Sequence, residues 1–247
     1  MGISHQLADG IAEVVIDIPP VNALDSKGWF ELAGVITELG KDPDCRVVIL
    51  RAEGKGFNAG IDIKEVQADP GAIIDVNRGC AAAFAAVYDC EVPVIAAVHG
   101  FCLGGGIGLV GSADIVIASS DATFGLPEVD RGALGAATHL ARLVPQHRMR
   151  AMVYTAEAAT AEELQSYGTL HAVVDKEKLP SAARELAAVI AAKHPEVLRR
   201  AKASLNGIDP VDIKKSYRFE QGFTFELNLT DVPDELRQAF VEKRDRR

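Results

Sequence analysis

Val92-Pro93-Val94-Ile95-Ala96-Ala97-Val98-His99-Gly100-Phe101-Cys102-Leu103-Gly104-Gly105-Gly106-Ile107-Gly108-Leu109 joins an apolar run to a glycine-rich turn that opens a helix. Residues 92–98 read as a strand, and Pro93 suits a position near its start but not a central one. Three consecutive glycines then let the backbone approach a neighbour closely. Amide hydrogens at a helix start favour an anion or a polarised oxygen. A tight packing turn would use the same glycines, so the residues alone leave both readings open.

Working outward, residues 11–17 alternate as a strand that Pro19 and Pro20 end. Asp25 or Ser26 is placed to cap a helix running to about Gly40, with Trp29, Leu32 and Ile36 as its apolar stripe. Residues 46–51 read as a second strand, the segment from Gly54 to Glu65 as a glycine-rich loop, and 71–89 as an alanine-rich helix. Downstream, 114–118 and 122–124 read as strands, 135–168 as helical and 172–174 as a short strand. Residues 178–245 read as helices broken at Pro195, Pro210 and Pro233. Strands alternating with helices, then a helical tail, specify α/β or α+β. The pattern does not choose between a doubly wound sheet and a spiral of ββα units.

The chain of 247 residues is long enough for one large core, alone or with a small appendage. Its net charge of -9 and lack of a basic stripe argue against a nucleic-acid partner, and the basic tail from Lys243 to Arg247 reads as solvated. Cys45, Cys80, Cys90 and Cys102 form no CxxC pair and read as free buried thiols. No 18-residue apolar span and no leader pattern occur, so no membrane partner and a cytoplasmic location are expected. The glycines follow several elements and are not a dinucleotide fingerprint, and no Gly-Lys-Ser/Thr, GxSxG or HExxH occurs. No metal site is expected. Glu128, in Phe124-Gly125-Leu126-Pro127-Glu128, is the best acid/base candidate, because a loop after Gly and Pro can hold a carboxylate rigidly. His139 sits among small residues, where core packing is the simpler reading. Asp62 is placed to anchor its own tight loop, and Asp130 and Arg131 to pair on the surface.

Five segments in order resemble the enoyl-CoA hydratase/isomerase, or crotonase, family: Pro20-Val21-Asn22-Ala23-Leu24, Gly56-Phe57-Asn58-Ala59-Gly60-Ile61-Asp62-Ile63-Lys64, Pro93 to Gly100, Gly104-Gly105-Gly106, and Phe124 to Glu128. The resemblance implies a spiral of ββα turns over residues 1–190. A helical region over 191–247 would complete the site and the contacts of a homotrimer or homohexamer. It implies an acyl-CoA substrate, with coenzyme A carried as part of that substrate and no separate cofactor. It places an oxyanion hole on the amides of Ile61 and Gly105 and a coenzyme A channel along Asn22, Ala23, Ala59, Gly60, Asp62, Ile63, Lys64 and Gly104. Phe223 and Phe225 would close the acyl end. A family hydratase uses two glutamates. Glu128 matches the second, but the first position is occupied by Gly108.

Two further stretches, residues 129–146 and 216–228, resemble a narrower group, the ring-opening hydrolases of actinobacterial steroid degradation. That likeness implies carbon–carbon hydrolysis of a β-diketone in a bicyclic CoA thioester. Water would be activated by Glu128 or His139, with Asp62 or Asp130 orienting the histidine. A conventional enoyl-CoA hydratase or isomerase, an inert member of the fold and a nucleotide-binding module are the competing readings.

Overall fold

The computed structural model describes residues 2–245; Arg246 and Arg247 of the basic tail lie outside the described residues. Strands β1 (Gly2–Ala8) and β2 (Ile11–Asp17) form an antiparallel hairpin that turns at Asp9 and Gly10, both with positive φ. β1 has no counterpart in the sequence reading, because Ser4, His5 and Gln6 are exposed and break the apolar alternation. Helix α1 (Ser26–Lys41) follows. Asp25 is its cap, accepting from the Gly28 amide at 2.7 Å, while Ser26 donates to Glu65 from both its hydroxyl and its amide.

The chain then winds in repeating turns. β3 (Val47–Ala52) leads through a loop to α2 (Ile63–Ala68) and α3 (Ile73–Asp89). β4 (Val94–Val98) leads through the short β5 (Phe101–Leu103) to α4 (Gly105–Ser112). β6 (Ile115–Ser119) leads through β7 (Thr123–Gly125) to α5 (Ala137–Leu140) and α6 (Gln146–Thr155). The chain continues through β8 (Ala159–Thr160) and α7 (Ala161–Ser166) to β9 (Ala172–Val174). The first strand of each turn joins a six-stranded sheet in the order β1-β2-β3-β4-β6-β9, parallel apart from β1. The second joins a small sheet, β5-β7-β8, to which the first turn contributes one bridge, Asn58 to Cys102. This is the spiral of ββα turns. β5 was read as part of a turn, because three residues are too few to carry a period.

Both faces of the large sheet are covered, as a parallel sheet requires. Val47, Ile49, Ile95, Ala97 and Ile117 face α8 (Leu179–Ala191), whose Leu179, Ala183, Ala187 and Ala191 repeat every four residues. Val48, Leu50, Val94, Ala96 and Val98 face the main core with Trp29, Leu32 and Phe84. The four cysteines are free and buried. Helices α9 (Pro195–Gly207), α10 (Ile213–Leu227) and α11 (Val232–Asp245) complete the described chain. Pro195 and Pro233 lie in first turns, where a missing N–H breaks no helical bond, so these prolines start helices as well as separating them.

Candidate active site

Two asparagines shape the loop after β3. The Asn22 side chain accepts from the Ile18 amide at 2.7 Å and donates to the Glu53 and Gly56 carbonyls at 2.7 and 2.9 Å. Asn58 donates to the Asn22 carbonyl and accepts from the Gly60 amide at 2.8 Å. Around Ile61 the backbone is bonded on both sides: Leu24 donates to Gly60 at 3.0 Å and Asp62 donates to Leu24 at 2.8 Å. The Ile61 amide between them has no acceptor among the described residues. Gly60 holds φ +89, and a β-carbon there would stand 3.1 Å from the Gly105 nitrogen, so the two loops meet back to back. Asp62 caps α2 through the Lys64 amide at 3.1 Å.

The triple glycine supplies the second face. Gly104 donates to the Gly125 carbonyl at 3.1 Å and Ile107 donates to Gly104 at 2.9 Å. The Gly105 amide, first in α4, is left without an acceptor among the described residues, as helix starts are. Gly105 rests on the Trp29 indole: a β-carbon would fall 2.7 Å from the ring. The Ile61 and Gly105 amides are therefore unspent donors on adjoining loops.

Both loops open on a cavity whose wall includes Ile61, Gly105 and Glu128. Glu128 lies in a 3₁₀ turn, Pro127–Arg131, after β7. Its Oε2 is buried without a hydrogen-bond partner, and Gly104 leaves no room for a side chain beside Oε1. Burial pushes the Glu128 carboxyl up to about 7, against a small opposing pull from its own backbone and Arg131. It can therefore hold or release a proton near neutral pH.

Gly108 has a steric explanation. A β-carbon there would run into the Phe84 ring, which occupies that space. Phe84 is edge-on to Trp29 at 5.7 Å, to His139 at 4.9 Å and tilted to Tyr217 at 5.2 Å. His139 is absent from the wall that holds Glu128 and lines a different cavity, with Lys214, Tyr217 and Arg218. Its Nδ1 is buried without a partner, and burial, aided by Arg142, pulls the imidazole down to about 3.

Of the residues singled out in the sequence, Ala59, Gly60, Ile61, Ile63, Gly104 and Gly105 line the cavity with Glu128. Asn22, Ala23, Asp62, Lys64, Asp130 and His139 are not in its wall; Asn22 and Asp62 hold the loop backbone, and Asp130 is exposed. Helix α10 lines this cavity through Tyr217 and Thr224. Phe223, 46% exposed, lines an adjoining cavity with Glu128, Leu134 and Gly135. Arg131, expected on the surface, and Arg237, from α11, also line the cavity. Arg237 lies more than a hundred positions from Glu128, and nothing local in the sequence marks it. Among the described residues no cluster of metal-ligating side chains occurs and no helix is long and apolar enough to cross a membrane.

Residues 6–247 match the enoyl-CoA hydratase/isomerase family. The chain is 65% identical over 245 residues to a (7aS)-7a-methyl-1,5-dioxo-2,3,5,6,7,7a-hexahydro-1H-indene-carboxyl-CoA hydrolase of Rhodococcus jostii, covering 98% of this chain and 95% of that one. It is 61% identical to the protein of the same name in Mycobacterium tuberculosis, over 95% and 96% of the two chains. A crystal structure of an enoyl-CoA hydratase from Mycobacterium avium subsp. paratuberculosis shares the fold, with a TM-score of 0.87 at 22% identity over 96% of this chain and 98% of that one.

Proposed function

The chain belongs to the enoyl-CoA hydratase/isomerase family, and from that premise we propose that it hydrolyses a carbon–carbon bond of a β-diketone, opening a ring in a bicyclic, steroid-derived CoA thioester. The observation that carries this reading is the 65% and 61% identity, over nearly whole chains, to two hydrolases named for a dioxo-indene CoA ester. Gly108 supports it: with Phe84 filling the space of a second glutamate, Glu128 is the carboxylate left to move protons.

The step balances as follows. Glu128 takes a proton from water, the water oxygen bonds to the ring carbonyl carbon, and the carbonyl electron pair moves to oxygen. On collapse the carbon–carbon bond breaks, and its electron pair passes to the leaving carbon as an enolate conjugated with the thioester. The Ile61 and Gly105 amides hold the thioester oxygen as that charge arrives. Glu128 returns its proton to carbon, and the product gains a carboxylic acid. Nothing is oxidised or reduced, so the chemistry asks for no cofactor beyond the coenzyme A that the substrate carries. His139, neutral and lining a different cavity, packs the aromatic cluster in this scheme.

We assign residues 1–190 to the spiral core with the thioester site and 191–247 to the helices that complete the acyl end. A homotrimer or homohexamer is part of the reading, supported by the outward Phe219–Phe223 pair on α10, with ring centroids 5.1 Å apart; light scattering measures its mass. A cytoplasmic location suits a CoA thioester, whose charge keeps it from crossing a bilayer. The deciding assay compares turnover of a bicyclic β-diketone CoA with crotonyl-CoA. We expect a product heavier by one water from the diketone and little hydration of crotonyl-CoA. Rapid hydration of crotonyl-CoA with an untouched diketone would overturn the proposal.

A further inference from the structure

Hydrolysis at a ring ketone develops charge on two oxygens. The amide pair at Ile61 and Gly105 serves the thioester oxygen. The second oxygen belongs to the ketone that water attacks, and it ends as part of the new carboxylate. A cavity for a plain unsaturated acyl chain needs nothing cationic at its acyl end, yet two guanidinium groups line this one.

Both are held in place by the C-terminal helix. Arg237, on α11, is 7% exposed; it donates to Asp234 at 2.5 Å and to Asn228 at 3.3 Å. Those two bonds leave guanidinium donors uncommitted, since the group carries five N–H bonds in a rigid fork. Arg131 lies three residues after Glu128, with its guanidinium 4.3 Å from the centre of the Phe240 ring, also on α11. Arg131 also acts electrostatically on Glu128, which places its charge near the proton-transfer group. The two helical segments touch tightly: a β-carbon on Gly132 would meet Pro233 at 2.6 Å. Elsewhere the wall of this end is largely apolar, with Ile73, Val76 and Leu134.

We propose that Arg131 and Arg237 form a second anion-stabilising site, which grips the ring ketone of the substrate and then the carboxylate made from it. This rests on the ring-opening reading above and names the part of the site that selects an oxygenated acyl group. Guanidinium bonds to a carboxylate are charge-assisted and stronger than those to a neutral carbonyl. The pair therefore favours the adduct and product over the ketone. The pair also offers charge-assisted bonds to an oxygenated acyl group that a hydrocarbon chain cannot accept.

The test is a binding comparison that needs no turnover. Adipyl-CoA and hexanoyl-CoA share chain length and coenzyme A, and differ in one terminal carboxylate. By calorimetry the unaltered protein should bind adipyl-CoA roughly tenfold more tightly. Arg131→Gln and Arg237→Gln should each erase most of that preference while leaving hexanoyl-CoA affinity within about twofold, and Arg237→Lys should retain part of it. Equal binding of the two esters by the unaltered protein overturns the proposal, and this arm depends on no variant folding. Equal loss of both esters in the glutamine variants overturns it too, since the arginines would then serve coenzyme A or the fold. A protein that prefers adipyl-CoA but leaves the bicyclic diketone intact keeps the anion site and loses the ring-opening reading; the reverse result separates them the other way.

Discussion

The two walls of the cavity are made of different material. The wall proposed to hold the thioester is main chain: the amides of Ile61 and Gly105, spaced by backbone bonds from Leu24 and Gly125 and by the near contact of Gly60 with Gly105. The acyl wall is side chain: Phe84 from α3, Glu128 after β7, Tyr217 and Thr224 from α10, and Arg237 from α11. Main-chain donors are fixed by loop geometry and tolerate many side chains around them. A wall of side chains from distant segments changes with each substitution. On the proposed reading the first wall holds the thioester oxygen, and the second decides which acyl group and which reaction the site accepts.

The largest expected effect falls on the one proton-moving side chain in that second wall. Glu128→Gln should lower kcat by about 10²–10⁴ while CoA-ester affinity stays within a few-fold, read from steady-state rates and calorimetry. Unchanged kcat would move proton transfer to another group. Because the reaction needs the ionised form, the rate should rise with pH through about 7. The stability consequence has the opposite slope. The folded carboxyl holds its proton above its ordinary 4.5, so the Glu128 contribution to stability falls as pH rises from 4.5 towards 7. Glu128→Gln should remove that slope in denaturant melts taken across the range.

Next in size is the main-chain wall. Gly105→Ala pushes a methyl group into the Trp29 ring, so the amide must shift. A loss of about 10²-fold in kcat is expected, near that of removing one oxyanion donor. A variant with full activity would show that the wall bends more than its packing implies.

The Phe84–Gly108 contact gives a coupling test. Gly108→Glu should fold poorly, because Phe84 occupies the space. Phe84→Ala should cost about 3–5 kcal/mol by itself. The double variant should be more stable than the sum of the two predicts, by about 1–3 kcal/mol in a thermodynamic cycle. Strict additivity would mean that Phe84 is not what keeps a second carboxylate out.

The smallest effect on turnover belongs to His139. Lining a different cavity from Glu128, it should tolerate His139→Gln with less than about a tenfold change in kcat/KM, alongside a lower melting temperature from lost packing. Its depressed pKa also makes it a source of acid sensitivity. The neutral folded imidazole costs stability as pH falls from 6.5 towards about 3, and His139→Gln should flatten that part of the profile.

The same division of material governs what could be read from the sequence. The alternation of strands and helices was legible because β2, β4 and β9 announce themselves by apolar runs and alternation, and α1 by its cap and stripe; the spiral itself was implied by the family resemblance alone. The main-chain wall was legible because close backbone approach needs glycine, and Gly60, Gly104 and Gly105 stand out in any linear reading. Glu128 was singled out because a Gly-Leu-Pro loop limits where its side chain can go, and it lines the cavity. β5 and β8 were too short to show a period. The rest of the acyl wall was hidden for a different reason. Phe84 reads as one more apolar residue of an alanine-rich helix. The face of α10 that lines the main cavity is set by packing, so Tyr217 and Thr224 were passed over, while Phe223 lines the adjoining cavity beside Glu128. Arg131 reads as a surface charge until α11 is folded over it.

The Gly60–Gly105 approach has a consequence for how such a site ages. A donor made of backbone survives every side-chain exchange except one to proline; otherwise it can only be displaced. The lineage of this chain is therefore free to exchange Gly108, Phe84 or Arg237 in successive trials while its oxygen-binding socket persists unaltered. New reactions on this scaffold need not rediscover how to bear a negative charge. For an engineer the order of work follows: hold the two glycine loops constant, and search among the residues of α3, α10 and α11.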